Sequence, residues 1–280
     1  MLAFAANSLL CRAALLETDI DAASFTSLRL ISGALMLACI VIIRQRFGNV
    51  QILSKGNWQS AFMLFVYAAG FSFAYLSLST ATGAMLLFAA VQVTMIGWGL
   101  LRGERLRLLQ WLGVLCACLG LIGLLLPGLS SPPLTSAVLM LLAGVAWGVY
   151  SLRGKNQGDA TQVTAGNFLR AIPFTLVLSL IFLPQQNWDN TGAFYAILSG
   201  AIASGAGYAL WYAVLPMLRA ASAATIQLSV PVIAAVAGVF ILNEPLTWRL
   251  VLSSLVILGG VALVIRLQPT TDKVFPAEGR

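Results

Sequence analysis

Apolar residues run in ten stretches along this chain, at 2–16, 24–43, 58–78, 81–101, 108–126, 134–152, 162–183, 192–214, 221–242 and 248–266. Polar and charged residues collect in the gaps between them. The stretches lack the period-two alternation of a membrane β-strand, and most approach the roughly 20 residues a helix needs to cross the hydrocarbon core. Within lipid the backbone must satisfy its own hydrogen bonds, so runs of this length predict transmembrane α-helices. Some gaps are short enough to be tight turns, such as Ser79-Thr80 and Pro216 to Ala220, and the helices flanking them must be antiparallel neighbours. The first run, Leu2 to Leu16, has no basic leader and contains Asn7 and Arg12, which argues against a cleavable signal peptide. It is short for a span, which suggests a first helix that begins upstream of Met1.

The polar landmarks occur twice. Arg12, Arg29 and Glu104 answer to Arg153, Arg170 and Glu244, at separations of 141, 141 and 140 residues. Residues 81–126 align without a gap to 221–266, with Gly103-Glu104 meeting Asn243-Glu244. Only seven of those forty-six positions are identical, so the duplication rests on the order of landmarks and spans. Five spans per half is an odd number, and the second half must then cross the membrane in the opposite sense to the first. The fold expected is an all-α integral membrane protein, ten transmembrane helices arranged as two inverted five-helix repeats.

Composition agrees and narrows the function. With 60% hydrophobic and 9% charged residues, a soluble surface cannot be covered, and the lipid bilayer is the expected partner. The net charge of +7 does not point to nucleic acid, because the basic residues punctuate apolar runs instead of forming one patch. With the N-terminus inside, twelve of the sixteen Lys and Arg residues fall on the inner side, and Glu17, Asp19 and Asp21 fall outside. This bias predicts cytoplasmic N- and C-termini. There is no histidine, and Cys11, Cys39, Cys116 and Cys118 all lie in apolar runs with no spacing that closes a zinc site, so no metal or other cofactor is expected.

Two halves that each end in a Gly-Glu or Asn-Glu turn before the last helix resemble the EamA family of the drug/metabolite transporter superfamily. The residues that carry the resemblance are Leu101-Arg102-Gly103-Glu104, Leu242-Asn243-Glu244-Pro245 and Ala146-Trp147-Gly148. The resemblance divides the chain into repeats at 1–127 and 134–267, followed by a cytoplasmic tail at 268–280. Where the family often has Trp-Gly in the first helix, this chain has Ala6-Asn7. The resemblance implies an alternating-access carrier of the inner membrane with a central cavity, commonly an exporter of amino acids or other small metabolites, and a monomer satisfies it.

Substrate in an inverted-repeat carrier sits near the midplane, where polar side chains are costly unless they meet a partner or a ligand. Tyr208 and Trp211 lie one turn apart on the eighth run and can form an aromatic wall; the corresponding stretch of the first half holds Tyr67, Phe71 and Tyr75. Gln92 and Gln227, the latter beside Pro231, are candidate cavity residues, as are Asn7, Asn167 and Trp147; the alternative for the polar ones is hydrogen bonding between helices. Arg29 and Arg170 lie inside spans at equivalent positions. They either anchor to protein groups or contact a substrate anion or carboxylate. Glu104 and Glu244 read as turn residues that cap the helix following each, and Gly144 and Gly148 as a packing pair.

No Asp or Glu lies mid-span, which disfavours the competing reading of a proton-coupled drug antiporter. A membrane enzyme would need a convergent acid, base, nucleophile or metal set, and none is present. A non-transporting scaffold does not account for the duplicated polar midplane.

Overall fold

The computed structural model describes residues 1–45, 54–103, 105–126, 131–154, 159–214 and 226–266. Ten helices follow one another among them: α1 (Leu2–Glu17), α2 (Ala22–Arg44), α3 (Trp58–Tyr75), α4 (Thr80–Leu101), α5 (Leu108–Leu125), α6 (Leu134–Arg153), α7 (Ala160–Ile181), α8, α9 (Ser229–Leu242) and α10 (Trp248–Arg266). Helix α8 runs as Asn190–Ile197, widens into a π-helical stretch over Leu198–Ala206, and returns to α-helix at Gly207–Val214. Seven of these segments are long and apolar enough to cross a bilayer, and α9 is a shorter apolar helix. The protein is an all-α, multi-span membrane bundle.

Short polar side chains set the helix starts. Asp21, Asn57, Ser79, Asp159 and Asp189 each accept from N–H groups of the turn they precede, which satisfies donors that have no intrahelical partner. Outward faces stay apolar: α5 exposes Leu108, Leu112, Leu115, Leu119 and Ile122, a helical stripe suited to lipid tails. Inward faces carry small residues. Gly144 lies against the Leu87 carbonyl and Gly148 against the Thr94 side chain, so the α6 backbone comes close to α4. Gly113 and Gly260 make the same close approach between α5 and α10. The main packing partners are α1 with α8 and α9, α2 with α7 and α8, α3 with α6 and α7, α4 with α6 and α9, and α5 with α10.

Two local expectations are corrected. Helix α3 stops at Tyr75, short of position 78, because the Tyr75 and Leu76 carbonyls accept from Arg12 Nη1 at 2.9 and 3.2 Å and Ser79 caps the next helix. Near Pro231, helical backbone at Ile226-Gln227 gives way to a turn at Leu228 before α9 begins at Ser229, and Pro231, lacking an N–H, cannot bond to the Gln227 carbonyl four residues before it. Glu244 does not cap the helix that follows it. Its carboxylate reaches α4 instead, accepting from Thr80 N–H at 3.0 and 2.8 Å and pairing with Arg12 Nε at 3.2 Å. Asn243 makes this reach through a left-handed φ of 51°, and Gly238 leaves the space, since a Cβ there would come within 2.5 Å of the Glu244 carboxylate. Glu104 and the Pro216 to Ala220 turn lie outside the described residues.

Candidate functional site

At the centre of the bundle, α1, α3, α4, α6, α8 and the residues just before α9 surround a cavity lined by Phe4, Asn7, Tyr67, Phe71, Leu87, Phe88, Trp147, Tyr208 and Gln227. Its volume is about 20 Å³, room for one water molecule. Small-molecule pockets start at roughly 300 Å³, so this conformation is closed around its centre.

Aromatic rings make most of the wall. Tyr67, Phe71 and Tyr75 recur every fourth residue on α3 and so share one face, with centroids 5.6 and 4.7 Å apart. Trp147 of α6 is the hub: its ring centroid lies 4.8 Å from Tyr67, 5.1 Å from Tyr208 and 5.4 Å from the stacked Tyr150. Phe4 of α1 closes the ring against Tyr208 at 5.6 Å and Trp211 at 6.1 Å.

A polar seam runs behind this wall. Asn7 Oδ1 accepts from both Ser199 Oγ at 2.8 Å and Ser204 Oγ at 3.3 Å. Those serines are five residues apart, a separation that would splay them about 140° around an α-helix. The wider π-helical stretch, built on i to i+5 bonds, brings both to the same side. Ser204 Oγ accepts in turn from Arg29 Nε at 3.4 Å, and Arg29 Nη2 donates to the Tyr67 hydroxyl at 2.8 Å. The guanidinium carbon stands 4.7 Å from the Phe71 ring centre and 5.2 Å from that of Tyr67. Arg29 is 1% exposed, and its Nη1 has no hydrogen-bond partner among the described residues.

The cavity gathers five of the residues expected from sequence: Asn7, Tyr67, Trp147, Tyr208 and Gln227. Trp211 stands behind Phe4, outside the lining. Gln92 is buried in α4 without bordering the cavity. Asn167 is used elsewhere; its Oδ1 accepts from Asn57 N at 2.9 Å and ties α7 to the start of α3. Arg170 does not line the cavity either, and donates to the carbonyls of Lys55 and Gly166. Sequence reasoning passed over Phe4, Phe88 and Ser199. Phe4 sits one turn from Asn7 on α1 and Phe88 one turn from Gln92 on α4, a spacing from a polar midplane residue that would have found both.

The model of the EamA-like transporter family matches residues 1–126 and again 134–266. The chain belongs to this family. As an EamA member of the drug/metabolite transporter superfamily it is a multi-pass membrane transporter of small molecules, not an enzyme. An uncharacterized protein of Pseudomonas aeruginosa is 57% identical over 265 residues, covering 95% of this chain and 91% of its own. The uncharacterized transporter YoaV of Bacillus subtilis is 24% identical over 87% of each chain. The threonine/homoserine exporter RhtA of Salmonella typhimurium is 31% identical over 180 residues, 60% of this chain and 59% of that one. A solved crystal structure superposes with a TM-score of 0.64 at 17% identity, covering 94% of this chain and 96% of the other, a likeness of fold alone.

Proposed function

We propose that this EamA transporter is an alternating-access exporter or facilitator of small metabolites such as amino acids, bound between two halves in the central cavity. The observation that carries the reading is the make-up of the cavity wall. Phe4, Asn7, Tyr67, Phe71, Leu87 and Phe88 come from the first half, while Trp147, Tyr208 and Gln227 come from the second. A site so divided changes its opening when one half rocks on the other.

In this reading the repeats at 1–127 and 134–267 each supply five spans and cross the membrane in opposite senses, with the 268–280 tail in the cytoplasm. The pattern of helix packing supports it. Adding five to the number of each first-half helix, and subtracting five from each second-half one, turns α1 with α8 into α6 with α3. The same exchange turns α1 with α9 into α6 with α4 and α2 with α8 into α7 with α3, while α2 with α7, α4 with α9 and α5 with α10 map onto themselves. The Lys and Arg bias supports an inner-membrane orientation with both termini cytoplasmic. The Salmonella relative, a threonine/homoserine exporter, supports amino acids as the first cargo to test. Facilitated or exchange transport is favoured over proton antiport, because the described buried acid, Glu244, is engaged by Arg12 and Thr80 at a helix end.

Counterflow in proteoliposomes tests this reading directly. Vesicles preloaded with threonine are expected to accumulate labelled threonine or another small metabolite above protein-free vesicles, without an imposed pH gradient. No flux from a panel of amino acids, nucleosides and sugars overturns the carrier reading; flux that appears only with a pH gradient overturns the facilitator assignment.

A further inference from the structure

We infer that the cargo of this carrier bears a carboxylate and that Arg29 receives it, an inference that rests on the carrier reading above. A guanidinium is almost never fully buried without a partner of opposite charge. Arg29 is buried to 1%, yet the ion pairs among the described residues are Arg12 with Glu244 and Arg44 with Asp159, and neither involves it.

Other arginines of the chain show what a structural anchor looks like here. Arg12 donates to the Tyr75 and Leu76 carbonyls besides its carboxylate. Arg170, the repeat equivalent of Arg29, donates to the carbonyls of Lys55 and Gly166. Arg29 instead donates to two hydroxyls, those of Tyr67 and Ser204, and leaves Nη1 unmatched. Hydroxyls can re-aim when a stronger acceptor arrives; a helix carbonyl cannot.

Location completes the case. Tyr67 borders the cavity directly, and Ser204 is bonded to Asn7, which borders it too. The guanidinium thus lies against the cavity wall, held by Tyr67 of the first half and Ser204 of the second. A planar fork with a free N–H matches a carboxylate, and low surrounding polarity strengthens the contact. The rest of the wall suits what else such a molecule carries. Phe4, Phe71, Trp147 and Tyr208 offer faces to an apolar body or to the ammonium of a zwitterion, and among the described residues no acidic side chain lines the cavity to select a bare cation.

The test compares solutes that share one apolar body: L-leucine, 4-methylpentanoate, L-leucinamide and isoamylamine. With full-length protein in detergent, the two carboxylates are expected to raise the unfolding temperature and the amide and amine to leave it unchanged. Counterflow of labelled leucine, threonine, uridine and choline is expected to favour the first two. Arg29→Lys should weaken the apparent affinity for carboxylates about tenfold, since it keeps the charge and loses the fork. Arg29→Met should abolish their effect while unfolding without ligand at the same or a higher temperature, because an unpaired buried charge has been removed.

A structural role for Arg29 predicts the reverse, a loss of ligand-free stability with carboxylate binding intact, and that result overturns the inference. So does equal stabilisation by leucine and leucinamide in the unaltered protein, which needs no variant to fold. Exchange of uridine or choline without any carboxylate leaves the carrier reading standing and removes this one. No exchange of any solute removes both.

Discussion

Tyr67 serves two surfaces at once, its ring facing the cavity and its hydroxyl accepting a hydrogen bond from Arg29 Nη2 at 2.8 Å. Tyr67→Phe keeps the ring and strands a second N–H of a buried guanidinium. The expected cost is about 1–3 kcal/mol of stability, measured by denaturation in micelles, with transport reduced beyond the loss of folded protein. An unchanged midpoint would mean that the bond contributes nothing. Residues such as Asn7, Trp147 and Tyr208 were legible in the sequence because a polar or large aromatic group stands out within an aliphatic run. Phe4 and Phe88 were not, since a phenylalanine in such a run looks the same whether it faces lipid or the centre. Gln92 and Asn167 show the converse. Polarity at mid-span marks a residue that needs a partner, and for Asn167 the partner is the Asn57 backbone.

At the scale of the element, Glu244 at the end of α9 joins two others. It supplies negative charge to the N-terminus of α4, where the helix dipole favours it, and holds Arg12 of α1. Glu244→Met leaves Arg12 without its counter-charge and should lower stability by about 3 kcal/mol. The double variant Arg12→Met/Glu244→Met should lose clearly less than the two single losses combined, because the groups act as a pair; strict additivity in a double-mutant cycle would show that they do not. The Asn-Glu turn itself was readable from sequence, but its target was not. Capping the next helix needs only local geometry, whereas reaching α4 depends on Gly238 and a left-handed Asn243. The π-helical stretch of α8 was equally hidden, because Leu198–Ala206 has the small, apolar composition of an ordinary span. Its effect is on register: shortening it by one residue would turn Gly207–Val214 by about 100° and carry Tyr208 off the cavity wall.

For the whole molecule, span positions were legible because lipid imposes one length and one composition on every crossing. The proposed orientation rests on the charge of the loops, and it can be read out in cells. A C-terminal green fluorescent protein fusion is expected to fluoresce and a C-terminal alkaline phosphatase fusion to stay inactive; active phosphatase would reverse the proposed topology. The closed centre was not legible, since it depends on how ten helices share a few ångströms of space. The solitary charge of Arg29 has one more consequence, an electrical one. A unit charge moved across a full membrane potential of 100 mV changes energy by about 2.3 kcal/mol, and a partial displacement changes it in proportion. Without a described counter-ion to travel with it, any rocking that shifts Arg29 along the membrane normal must move charge through the field. The empty carrier would then register its own change of state as a transient capacitive current.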